Sequence, residues 1–379
     1  MKPQKLTGFH KFVCFVFFAV LVILLISFAA KGWQTDESIP GSGDVGDLTN
    51  DTDVSNNENG TNNNDNLSNG EGDTEDPPLP VEPIIYINSI TGLEISEDQY
   101  NKIPTATVLD PSMSLYGVSG SDLSIEFPTE GDSTRLLTYT SSNETRWKIG
   151  VLAASRKYIS SMAGFFGGII VSYGYDDIVN YDAWETEAFA LDISKYNNCY
   201  FVENTLNVYT TDNMIDTAKG KDATVSSQNY YKVAPYDFYQ HEEFVGTAAA
   251  TTVTIPFSQK SKTELYFHEK SGQYIYYRSG IRKTDMLTGD SISYKNVFIL
   301  FSNSTTYEMS EGRELVVDVI SGGKGYYISN GKYTEFVWKT DIDGSLAFST
   351  LSGETLKVNK GNSYIAFFKA SNSSDVMLK

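Results

Sequence analysis

The sequence predicts an α+β ectodomain followed by an all-β domain of antiparallel sandwich or barrel-like type, preceded by a transmembrane helix and a disordered linker. Three observations carry that expectation. Residues 12–30 form one apolar run without charge, the composition changes abruptly after Pro83, and beyond about residue 246 nearly every stretch alternates apolar and polar residues between short turns.

The apolar run FVCFVFFAVLVILLISFAA has about the length needed to cross a bilayer. Lys2, Lys5 and Lys11 precede it, and Asp36 and Glu37 soon follow Lys31. The positive-inside rule therefore puts residues 1–11 in the cytoplasm and the body outside the membrane. A cleaved secretory signal is the alternative, since Ser27-Phe28-Ala29 offers small residues at a suitable spacing, and the body would then be secreted. Residues 31–83 read as a disordered spacer. From Asp36 to Glu82 there are acids but no lysine or arginine, with much Asn, Gly, Ser and Thr and a stiff DPPLPVEP end.

The first folded part, residues 84–245, opens with IIYINSITGLEI, a strand and a turn at Thr91-Gly92. SDLSIEF, TRLLTYTSS and WKIGVL read as further strands. A helix follows over about 155–166, with Tyr158, Ile159, Met162, Ala163 and Phe166 on its inward face, and Gly167-Gly168 ends it. IIVSYG resumes as a strand, and a second short helix is expected near 183–190. The joint GTAAATTVTIP opens the second part, residues 246–379, where ELYFHE, QYIYYR, KNVFILF, KGYYISN, YTEFVWK and SYIAFF alternate as strands.

Composition excludes several functions. The formal charge of −19 and the lack of basic stripes argue against nucleic acid and anionic lipid headgroups. Two cysteines, Cys14 in the apolar run and Cys199 in NNCYFVEN, give no disulfide framework. His10, His241 and His268 form no zinc-ligand spacing, and no phosphate-binding glycine motif occurs, so no metal or cofactor is expected. DIDG at Asp341–Gly344 fits a hairpin turn better than a calcium loop. The many tyrosines of the second part are expected to pack across strands, and an exposed cluster of them would stack on glycan rings.

Residues 126–137, EFPTEGDSTRLL, hold the main candidates for chemistry. Glu126 and Glu130 could form an acid/base pair, but positions i and i+4 of an extended strand stand about 13 Å apart, and only the Pro128–Gly131 bend would close that gap. The structural alternative is a strand, a turn through Thr129–Asp132 and a returning strand, with Arg135 as charge partner to either glutamate. Arg156, near the start of the expected helix, needs compensation there from a carboxylate or an anionic ligand.

In order and spacing, NSITGL, YGVSGSDLSIEFPTEGDSTRLL, KIGVLAASRKY, YYRSGIRKTDMLTGDSISYKNVFIL, GYYISNGKYTEFVWK and LKVNKGNSYIAFF resemble the YerB-like family over residues 88–370. These are bacterial envelope proteins, often lipoproteins, without a settled function. The resemblance implies a two-part body and, in the family, a polar centre. Here Ala153 stands where family members carry a second arginine, Tyr173 precedes Gly174 where they carry histidine, and Thr205-Leu206-Asn207 replaces a proline-histidine-asparagine triplet. Of such a centre Glu126, Glu130, Arg135, Arg156 and Asn207 remain, with Arg156, Arg135 and Asn207 as anion- or ligand-binding candidates.

Together these readings predict a membrane-anchored, extracytoplasmic binding or scaffold module for a cell-wall polymer or an envelope protein. The alternative is an envelope hydrolase or transferase using Glu126 or Glu130 with Arg156.

Overall fold

The computed structural model describes residues 84–175, 190–226, 234–240, 244, 246–309, 312–341 and 345–379. The expected membrane segment at 12–30, the spacer at 31–83, most of the second helix at 183–190, His241 and the turn at 342–344 lie outside them. Among the described residues no helix is long and apolar enough to cross a membrane.

Strands dominate, and the helices are few and short. The strands that build the site are β1 (Thr105–Leu109), β2 (Leu123–Pro128), β3 (Thr134–Thr140), β4 (Ile149–Gly150), β5 (Ile169–Ser172), β6 (Ala190–Asp192), β7 (Phe201–Glu203) and β8 (Asn207–Thr210). They continue with β9 (Ala248–Ala249), β10 (Thr252–Pro256), β11 (Lys262–His268), β12 (Gln273–Arg278), β13 (Ile281–Arg282) and β14 (Ser293–Tyr294). The last are β15 (Asn296–Ser302), β16 (Gly323–Ser329), β17 (Lys332–Thr340), β18 (Leu346–Ser349), β19 (Ser363–Lys369) and β20 (Met377–Leu378).

Among the described residues eleven strands form one open sheet, ordered β9-β17-β16-β15-β19-β2-β3-β1-β5-β6, with β18 beside β17. The sheet runs across residue 245: β19 lies parallel to both β15 and β2, joining early and late strands of the chain. A six-stranded sheet follows the order β13-β12-β11-β10-β20, with β14 beside β12. Neither sheet closes into a barrel.

The period-two alternation of strands explains the layering. Along β15, Phe298 and Leu300 enter one apolar cluster, and Val297, Ile299 and Phe301 enter the other. The second cluster also takes Val253, Ile255, Leu265, Tyr274 and Tyr276 from β10, β11 and β12, so the smaller sheet covers one face of the larger. The first cluster takes the helical residues Tyr158, Ile159, Met162, Ala163 and Phe166, which cover the opposite face as their spacing predicts.

Those residues do not form one helix. After α1 (Glu97–Asn101), whose Ser96 and Gln99 form a capping box, the chain makes two short helices, α2 (Lys157–Ser160) and α3 (Met162–Phe166). They meet at Ser161, whose hydroxyl donates to the Lys157 carbonyl at 3.0 Å and so competes with regular helical bonding. Gly168, at φ +85°, then lets the chain pass Pro104, whose carbonyl oxygen would lie 2.7 Å from an added Cβ. Among the described residues the other α-helices are α4 (Asp212–Lys221) and α5 (Ala223–Ser226).

Candidate functional site

Glu126 lies on β2 facing the smaller sheet and has no exposed surface. Its Oε1 accepts from Thr134 Oγ1 at 2.7 Å and from Arg278 Nη1 at 2.6 Å. Its Oε2 accepts from Thr263 Oγ1 at 2.8 Å, Tyr276 Oη at 3.2 Å and Tyr364 Oη at 2.6 Å. A carboxylate offers about four lone-pair positions, so five donors saturate it. Arg278 also donates to Thr263 Oγ1 at 3.0 Å and Thr134 Oγ1 at 2.8 Å, closing the network.

The electrostatics agree with that geometry. Burial works against the Arg278 charge, but Glu126 outweighs it and the net pKa is raised. Burial first, and then the Glu126 charge, push the Tyr276 and Tyr364 hydroxyls well above the usual tyrosine range, so both remain protonated donors. Such an ion pair has lost its water, and the hydroxyls around it replace that solvation. No face of Glu126 is open to a substrate.

Glu130 stands in the turn after β2. It pairs with Arg156 Nη2, and its side chain keeps 26% of its exposure against 5% for the arginine. Glu130 Oε2 is buried without a hydrogen-bond partner among the described residues. Arg156 precedes α2, which has four residues and so little dipole to offer an anion; its Nη1 also donates to the Ser155 carbonyl at 3.1 Å. Arg135, expected beside either glutamate, instead donates Nη1 to the Thr134 carbonyl at 3.1 Å. The charge partners of the two glutamates are Arg278 and Arg156.

Asn207 begins β8, opposite Glu203 in the three-stranded sheet β4-β8-β7. On that sheet the Lys148 ammonium lies over the rings of Tyr116 (4.4 Å) and Tyr209 (4.0 Å) and binds Glu203 at 2.6 Å. The Tyr209 ring rests on Gly150, where an added Cβ would meet it at 2.5 Å. Backbone bonds bring Ala153, Tyr173 and β8 close to one segment. Tyr173 N donates to the Ala153 carbonyl at 3.1 Å, and Leu152 N to the Val208 carbonyl at 2.8 Å. Ala153 is buried, Tyr173 packs edge-on against Tyr200 at 4.8 Å, and Leu206 is 83% exposed.

Reading outward from Glu126 misses Arg278, Tyr276, Tyr364, Thr263 and Asp285. Asp285, fully buried, accepts from Gly117 N (3.0 Å), Val118 N (2.7 Å), Ser119 N (2.7 Å) and Leu287 N (2.9 Å). Ser119 Oγ adds a fifth donor at 2.8 Å, so this carboxylate ties the loop before β2 to the loop after β13. The one sequence signal was RSGIRKTD, which places Arg278 and Asp285 among turn residues in an otherwise apolar, aromatic stretch.

Comparison with known proteins now bears on this arrangement. Residues 253–365 match the family described as "Protein of unknown function (DUF3048) C-terminal domain". The chain is 24% identical over 265 residues to "Putative lipoprotein YerB" of Bacillus subtilis (strain 168), covering 66% of this chain and 77% of that protein. The chain is similar to YerB over most of its described residues. The crystal structure of YerB from Bacillus subtilis superposes with a TM-score of 0.62 at 21% identity, over 74% of this chain and 96% of that one, which establishes a common fold.

Proposed function

We propose that this protein is an envelope-associated, non-catalytic binding module, anchored in the membrane through residues 12–30 and held at a distance by residues 31–83. The lipoprotein description of its relative supports the location. The single observation that carries the non-catalytic reading is Glu126, enclosed and saturated by five donors, with Glu130 held by Arg156. Acid/base hydrolysis of a glycan needs two carboxylates facing a substrate about 5–9.5 Å apart, and here one of the two is walled in. In this reading Arg156 and Arg135 are braces, and Asn207 belongs to a packed sheet.

A second reading is favoured by Glu130 Oε2, which lacks a hydrogen bond among the described residues: an envelope hydrolase or transferase with Glu130 as acid/base beside Arg156. Incubating the full chain with purified cell-wall sacculi separates the two. The module reading expects co-sedimentation, no release of soluble fragments, and the same behaviour from Glu130→Gln. Fragment release that Glu130→Gln abolishes would overturn it.

A further inference from the structure

The face of the large sheet that carries Glu126 runs on over β15, β16 and β17. On these strands lies a cleft of about 440 Å³, lined by Phe301, Asn303, Lys324, Tyr326, Glu335 and Ser373, with Gly322 and Gly323 also in its lining. That volume is within the range of small-molecule sites. Its lining combines two aromatic rings with carboxylate, ammonium, amide and hydroxyl groups. Tyr326 is half-buried, and Phe301 and Tyr333 meet it edge-on at 5.1 Å and 5.3 Å, which holds its ring in place. Burial first, and then the nearby Glu335 charge, raise the Tyr326 pKa, so its hydroxyl remains a donor.

Three features narrow the occupant. The strand β16 is hydrogen-bonded on both sides, to β15 and β17, so no backbone edge is free to add a peptide strand. Lys324 and Glu335 contribute one charge of each sign and are exposed, and neither makes an ion pair among the described residues. A balanced lining in a chain of net charge −19 disfavours a polyanion. An aromatic ring ringed by carboxylate, amide, ammonium and hydroxyl groups matches a saccharide, whose C–H face stacks on the ring while its hydroxyls bond around the edge.

We infer that this cleft binds a neutral, hydroxyl-rich sugar ring, stacked on Tyr326 and bonded at its rim by Glu335, Asn303 and Lys324. The inference rests on the binding-module reading and names its ligand class and place. The test titrates the full chain calorimetrically with chitotetraose, a neutral tetramer of N-acetylglucosamine, and separately with poly(glycerol phosphate). Saturable binding of the tetramer, retained by Tyr326→Phe and weakened about tenfold or more by a Tyr326→Ala variant that is still folded at the titration temperature, is the expected result. Binding of the tetramer that Tyr326→Ala leaves untouched would overturn the cleft as its site, while leaving the module reading in place. Binding of poly(glycerol phosphate) in its stead would overturn the neutral-sugar assignment. A chain that co-sediments with sacculi yet ignores both probes also overturns this inference, and a chain that releases wall fragments overturns the module reading itself.

Discussion

One row of residues crosses the large sheet from Glu126 on β2 through Ala366, Ile299 and Tyr326 to Glu335 on β17. Its two ends carry the same functional group in opposite circumstances. Glu126 lies under the smaller sheet with five donors, whereas Glu335 stands exposed beside a half-buried tyrosine at the cleft. The strand spacing puts them about 19 Å apart. What decides their roles is the cover: under the second sheet a carboxylate must be paired to exist, and beyond it a carboxylate is free to meet a ligand.

The largest effect tests the covered end. Glu126→Gln or Arg278→Met leaves the other partner buried and uncompensated, and each is expected to lower unfolding free energy by about 3–5 kcal/mol in urea titration. Glu126→Gln combined with Arg278→Met is expected to cost less than the sum of the two. An exposed-type response, with no change from either, would erase the contrast.

Next comes acid. Burial raises the Asp285 pKa, but the N–H donors of Ser119, Leu287 and Gly117 with the Ser119 hydroxyl outweigh it, leaving it below its ordinary 3.8. Asp212 is also lowered: burial opposes, and the Arg146 hydrogen bonds and charge prevail. A depressed folded pKa means the stabilisation is complete above the unfolded value and disappears as pH falls through the folded one. Urea midpoints should therefore be flat above about pH 5 and drop below about pH 4. Asp285→Asn should cost about 1–3 kcal/mol at neutral pH and flatten that acid drop.

A smaller effect belongs to the intermediate case. Glu130→Gln weakens a partly exposed pair with Arg156 and is expected to cost about 1 kcal/mol, discounted for solvent screening, by the same titration. At the open end, Glu335→Gln should leave the unfolding midpoint where it was while weakening saccharide binding.

Local pattern made much of this fold readable. The alternation of ELYFHE and QYIYYR became β11 and β12, and the inward residues expected for 155–166 are all buried although the helix is interrupted at Ser161. The run TATVL, the wholly buried β1, shows no alternation of buried and exposed residues to mark it as a strand, and α4 behind its Thr211 cap carries only Ile215 and Ala218 as buried residues. The site was less legible for a physical reason. Arg135, nine residues from Glu126, was the nearest cation along the chain, but the partners that reach Glu126 lie 137 to 238 residues away apart from Thr134. Packing of one sheet on another selected them, and period-two alternation specifies only a face, not its opposing residue.

The parallel strand β19 sits between β15 and β2 in the middle of the sheet. Until residues 363–369 emerge, β2, made more than 200 residues earlier, is not joined to β15, and Glu126 lacks its Tyr364 donor. The large sheet can therefore close only after residues 363–369 are available, which makes late and slow sealing of its middle a consequence of this strand order.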